Sequence, residues 1–178
     1  MLAEKYAQEV QAILGKYLTD ENRLAEQRRS AVMPLLYLAQ RDKMYIDRKD
    51  MAEIAQILGM SATEVATIVG FYSLYYDKPA GRYRIQVCTD MPCALRGAEK
   101  FLEALCARLG IKPGETTADG LITVEALMCL AACDKAPMFQ VQSGSGLEYH
   151  ENQTLESAMM LIDQLRADAR RRGRDGNG

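Results

Sequence analysis

The chain has 178 residues, 48% of them apolar and 26% charged. That balance supports one domain or two small ones with a packed core and excludes global disorder. The 22 basic and 24 acidic residues leave a net charge of −2, so no basic surplus exists for a phosphate backbone and nucleic acid is not an expected partner.

The first residues carry Glu4 and Lys5 where a signal peptide would have its apolar core. The longest nearly unbroken apolar stretch, Ala31 to Ala39, is far short of the roughly 18 residues that cross a bilayer. A cytoplasmic chain without a direct membrane span is therefore expected. Tyr6, Val10, Ile13, Leu14 and Leu18 recur at helical spacing and predict a helix over Lys5–Leu18. A second helical stretch runs from Arg23 to Asp42, with Pro34 marking a kink or a late start. Asp50 to Leu58 forms a third, stopped by Gly59, and Ser61-Ala-Thr-Glu64 reads as a capping box opening a fourth toward Phe71.

At Asp77-Lys-Pro-Ala-Gly81 the pattern changes. Tyr83 to Val87 alternates as a strand and runs into Cys88. An amphipathic helix is expected over Ala94–Leu109, a turn-rich loop over Ile111–Gly120, and a second strand over Leu121–Met128 that leads into Cys129. Met138–Val141 and Leu147–His150 flank Gly144-Ser-Gly146 as a hairpin, and Thr154 caps a last helix reaching about Ala169. The fold class is α+β, with a helical domain over residues 1–77, an α/β domain over 78–170, and a frayed basic tail over 171–178.

Cysteine carries the chemistry. Cys88 and Cys93 form a C-x4-C pair, Cys129 and Cys133 a C-x3-C pair, and Cys106 lies alone inside a predicted helix as a small buried hydrophobe. In a reducing compartment such clusters are metal or redox groups more often than disulfides. A binuclear iron–sulfur cluster needs four thiolates, two on each iron, and each close pair can serve one iron. If the two strands are parallel neighbours, their following loops face each other at one sheet edge. The spacing favours a [2Fe–2S] cluster, with structural zinc, a [4Fe–4S] cluster and two disulfides as alternatives. His150 is the one histidine, which excludes a Rieske centre and multi-histidine zinc sites; it is given no role.

Cys88-Thr-Asp-Met-Pro-Cys93-Ala-Leu-Arg-Gly97 and Cys129-Leu-Ala-Ala-Cys133-Asp-Lys-Ala-Pro137 resemble the two cluster motifs of the 24 kDa subunit family of respiratory NADH:quinone oxidoreductase, a module shared with NAD-linked hydrogenases and formate dehydrogenases. Gly70-Phe-Tyr-Ser73 and the segment from Gly110 to Gly120 extend the resemblance. It implies a thioredoxin-like second domain and one [2Fe–2S] cluster on Cys88, Cys93, Cys129 and Cys133. It also implies a partner subunit carrying FMN, a [4Fe–4S] cluster and the NADH site, within a larger assembly peripheral to the inner face of a membrane. The chain would be an electron-transfer subunit and not catalytic alone, consistent with the lack of a G-x-G-x-x-G fingerprint. A zinc-stapled assembly module is the alternative of a different class.

The family often has glycine where this chain has Ala131; a positive φ there would strain alanine. The aromatic run Gly70–Tyr76 reads as core packing between the domains or as an interface face for the flavin subunit. Arg96 and Lys135 read as solvated charges or as cations offsetting the cluster's charge.

Overall fold

Local capping chemistry sets the helix limits in the first half of the computed structural model, which describes residues 2–17 and 29–175. The first unit, Met1–Pro79, holds α1 (Leu2–Lys5), α2 (Ala7–Tyr17), α3 (Val32–Lys43), α4 (Arg48–Leu58) and α5 (Ala62–Phe71). The expected helix from Arg23 lies partly outside the described residues. After a turn at Ala31, α3 begins at Val32, so Pro34 falls in its first turn, where a missing N–H costs nothing. Asp47 accepts from the N–H groups of Lys49 and Asp50, while the Asp50 carboxylate accepts from the Asp47 N–H, a reciprocal cap that starts α4 two residues earlier than the apolar spacing suggested. Gly59, at φ 66°, closes α4. Ser61 and Glu64 make the expected capping box of α5.

Leu35, Leu36, Ile46, Ile54 and Val65 are fully buried and form the core of this unit. The aromatic run divides. Tyr75 packs in that core and its hydroxyl donates to the Met33 carbonyl at 3.0 Å, and Tyr76 is buried too; Phe71 is 80% exposed and Tyr72 is also exposed.

The second unit, Ala80–Gly178, carries a four-stranded sheet. Its strands are β1 (Tyr83–Cys88), β2 (Ile122–Leu127), β3 (Phe139–Ser143) and β4 (Gly146–His150), in the order β2-β1-β3-β4. β1 and β2 are parallel; β1–β3 and the hairpin β3–β4 are antiparallel. Between β1 and β2 lie α6 (Met91–Leu95) and α7 (Ala98–Leu109), and α8 (Leu155–Asp175) ends the described chain. The continuous helix expected from Ala94 is broken: Gly97, at φ 87°, separates α6 from α7, and Leu95 is left 84% exposed. Thr154 accepts from the Ser157 N–H at 3.2 Å, capping α8, which continues past Ala169 to Asp175. Residues 176–178 of the expected tail lie outside the described residues.

The sheet is covered on one face by α7 and α8. Tyr83, Ile85, Val87, Ile122, Val124, Phe139 and Val141 pack there against Phe101, Leu102, Leu105 and Ile162. Residues alternate across a strand, so Arg84, Gln86 and Cys88 share the other face. Among the described residues no single helix is long and apolar enough to cross a membrane.

The α4 cap has a measurable signature. The Lys43 ammonium, then the Asp50 N–H, hold the Asp47 carboxyl down at about 2. A depressed carboxyl stabilises the fold fully above its unfolded value of about 3.9 and loses that contribution as pH falls toward about 2. Asp47→Ala is expected to cost about 1 kcal/mol at neutral pH and to flatten the acid limb of thermal melts followed by circular dichroism between those pH values.

Candidate metal centre

Parallel pairing brings the ends of β1 and β2 to one sheet edge. Cys88 is the last residue of β1 and pairs with Leu127, the last of β2. The Thr89 N–H continues the ladder by donating to the Leu127 carbonyl at 3.0 Å. From this edge the two cysteine segments depart together.

The first segment folds at once into α6. Asp90 caps it, accepting from the Met91 N–H at 2.9 Å, and Pro92 stands in its opening turn. Cys93 therefore sits on one turn of helix rather than on an irregular loop. Cys88 and Cys93 are each 1% exposed. They lie in a small apolar cluster with Ala98, Leu130, Ala136 and Met138.

The second segment is more open. Cys129 is exposed and Cys133 half-buried, at the start of a short 3-10 turn, Cys133–Lys135. Ala131 adopts φ 57°, in the left-handed region. The strain anticipated for alanine is therefore present, and residues without glycine's freedom lose about 1–2 kcal/mol there. The Ala136–Pro137 peptide is cis. The far side is braced by the residues that follow β4: the Asn152 N–H donates to the Lys135 carbonyl and the Gln153 N–H to the Pro137 carbonyl, both at 2.7 Å.

The four thiols are neighbours and fall into two pairs. Burial, then a hydrogen bond with Cys88, then the nearby Cys133 and Cys129, push the Cys93 thiol up to about 12. Burial and the adjacent, hydrogen-bonded Cys129 raise Cys133. Among the described residues no three His, Cys, Asp or Glu side chains converge closely enough to hold one metal ion. Two thiol pairs on facing segments, with no imidazole among them, are the donor chemistry of a binuclear iron–sulfur group. The residues present fit that group. Raised thiol values also mean that loading metal must release protons.

Cys106 stays apart, buried in the main sheet–helix core, and burial raises its thiol. The His150 ring lies 5.3 Å from that of Phe139, and burial lowers its value.

Three features of the site escaped the sequence reading. Met91, Leu95 and Met128, beside the cysteines, are 74%, 84% and 71% exposed; a continuous amphipathic helix over Ala94–Leu109 places Leu95 on its apolar face instead. Arg84, Gln86, Glu125 and Gln140 form a polar chain across three strands on the Cys88 face. Arg84 pairs with Glu125 at 2.5 Å, Gln86 Nε2 donates to Glu125 at 3.3 Å, and Gln140 Nε2 donates to Gln86 Oε1 at 2.6 Å. Arg96 reaches across to the second segment. Asp90 and Pro92 at the start of α6 and Gly97 at its end are local helix signals, but the helical period of Ala94–Leu109 masked them; the burial of the polar strand positions had no local signal at all.

Comparison with known proteins agrees with this geometry. The family model described as thioredoxin-like [2Fe-2S] ferredoxin matches residues 11–166. A subunit of the NADH-quinone oxidoreductase of Mycobacterium tuberculosis (strain H37Rv) is 38% identical over 156 residues, 88% of this chain and 57% of the relative. NADH-quinone oxidoreductase subunit 2 of Thermus thermophilus is 41% identical over 145 residues, 82% of this chain and 78% of the relative. The chain thus spans little more than half the length of the mycobacterial relative. An NAD+-reducing [NiFe]-hydrogenase in the H2-reduced state shares the fold, with TM-score 0.64 at 23% identity over 76% of this chain and 22% of the other.

Relief of the strain at Ala131 is a direct test of the second segment. Ala131→Gly is expected to stabilise the metal-free chain by about 0.5–1 kcal/mol, read from urea unfolding; a loss of stability would show that φ there is not positive in solution.

Proposed function

The chain belongs to the thioredoxin-like [2Fe-2S] ferredoxin family, and on that premise we propose that it is the electron-transfer subunit of an NADH:quinone oxidoreductase whose cofactor is held by Cys88, Cys93, Cys129 and Cys133. The observation that carries this reading is the pairing of four thiols at and just beyond the ends of two parallel strands. The relatives at 38% and 41% identity support it, since both are named as subunits of that complex.

When bound, the [2Fe–2S] group supplies one-electron redox chemistry, exchanged in this reading with the FMN of an NADH-oxidising partner. The rest is done by the chain. Cys88 and Cys93 would hold the group from a buried, helix-capped segment, and Cys129 and Cys133 from a tight turn. Ala98, Leu130, Ala136 and Met138 pack around the Cys88 and Cys93 thiols and make an apolar wall on that side of the site. The apolar rim of Met91, Leu95 and Met128 gives a face on which a partner subunit docks over the site and excludes water, as the apolar centre of an interface does. Residues 78–170 act as the redox module and residues 1–77 as its helical partner domain. The complex is peripheral to the inner face of the membrane.

Chain purified without oxygen is expected to be reddish-brown and to hold about two irons and two labile sulfides. Cys88→Ser and Cys129→Ser should each abolish the visible band. The chain alone should not oxidise NADH, and NADH should bleach its colour only once an FMN-bearing partner is added. Stoichiometric zinc with no sulfide would overturn the proposal in favour of a stapled assembly module.

A further inference from the structure

Arg96 lies just beyond the first cysteine pair, and its Nη1 donates to the main-chain carbonyl of Asp134 at 2.7 Å across 38 residues of sequence. Asp134 belongs to the 3-10 turn that opens at Cys133. The bond therefore joins the segment after Cys93 directly to the segment after Cys133.

Both anchors are fixed independently. The Arg96 N–H donates to the Cys93 carbonyl at 3.1 Å, and the Gly97 N–H donates to the Ala94 carbonyl at 2.9 Å. On the other side the Lys135 N–H donates to the Ala132 carbonyl at 3.0 Å, and Asn152 holds the Lys135 carbonyl. A guanidinium carries its charge at every accessible pH and presents a rigid set of donors. Lys135, by contrast, stands 3.8 Å from the Asp134 carboxylate, which offsets its charge.

We infer that Arg96 is a positioning residue that clasps the two cysteine segments at a fixed separation and sets a permanent positive charge beside the cofactor. The inference rests on the reading that these cysteines hold the [2Fe–2S] group. Two effects follow, and they are separable. The hydrogen bond resists opening of the gap through which a chelator reaches iron. The charge favours the reduced state, because one-electron reduction adds a negative charge between the segments. Salt weakens this second effect at so exposed a residue.

The test uses the full chain loaded with its cluster. Wild type, Arg96→Ala, Arg96→Gln and Arg96→Lys are compared by dithionite titration with redox mediators, followed by electron paramagnetic resonance, and by the rate of iron loss to EDTA. Arg96→Ala is expected to lose iron severalfold faster. It should also shift the one-electron equilibrium toward the oxidised state by up to about tenfold, which is 59 mV. Arg96→Gln keeps a donor without the charge, so it should recover retention more than potential. Arg96→Lys keeps the charge without the fork, so it should recover potential more than retention. Equal potential and equal iron loss in wild type and all three variants would overturn the clasp. If Arg96→Ala does not fold, the other two decide: each matching wild type in both measurements overturns it. A wild-type chain that takes up no iron and sulfide instead overturns the cofactor reading.

Discussion

Everything at the metal centre depends on the parallel pairing of β1 with β2. Parallel neighbours send their carboxyl ends to the same sheet edge, so residues far apart in sequence leave the sheet side by side. The register matches Cys88 to Leu127, which puts Cys129 within a short reach of the first pair. An antiparallel arrangement of the same two strands would place the two cysteine pairs at opposite edges. The α6–α7 crossover that parallel pairing demands also serves the site, because its first turn carries Cys93.

Register is the second requirement. Side chains alternate, and a slip of one residue would turn Cys88 toward the helix-packed face. The apolar face of the sheet specifies that alternation in a general way through Ile85, Val87, Ile122 and Val124. The other face adds a sharper condition. Gln86 sits opposite both Glu125 and Gln140, and the three are hydrogen-bonded across three strands. Buried amides and charges that lose their partners cost more than they gain when paired. A slipped sheet would leave Gln86, at 1% exposure, without them.

The sequence carried the helical first half, the strand–helix–strand order and the hairpin because each had a local cause. Ser61 with Glu64, Gly59 and the alternation from Tyr83 to Val87 act over a few residues, and the structure forms each element there. The paired cysteines beyond strand ends were legible for the same reason. The break at Gly97 was obscured because Leu95 happens to fit the helical period of α7, and period outweighed the glycine. The exposure of Met91, Leu95 and Met128 could not be read, since an apolar residue is assigned to a core by default and only tertiary structure shows that no core meets it. The burial of Arg84 and Gln86 was hidden by the converse default. The tie between Arg96 and Asp134 was beyond reach, because nothing local distinguishes an arginine that finds a distant carbonyl from one that remains in water.

The two cysteine segments also differ in how their conformations are maintained. The first is fixed by the sheet, a capped helical turn and burial, all supplied by the chain itself. The second rests on a strained alanine, a 3-10 turn and braces from the segment after β4, with Cys129 open to solvent. Strain of this kind persists only where surrounding contacts over-determine the backbone. Among the described residues the hydrogen bonds that reach this segment from distant parts of the chain fall on the carbonyls of Lys135 and Pro137, held by Asn152 and Gln153, and on the carbonyl of Asp134, held by Arg96. Each lies on the carboxyl side of Cys133, and Ala131 lies between the two cysteines. The loop is thus gripped at its exit, while metal ligation through Cys129 and Cys133 would close it at its entry. A segment built this way would gain more order from a group bound there than the first would. That asymmetry follows from where the hydrogen bonds fall rather than from the number of cysteines each segment contributes.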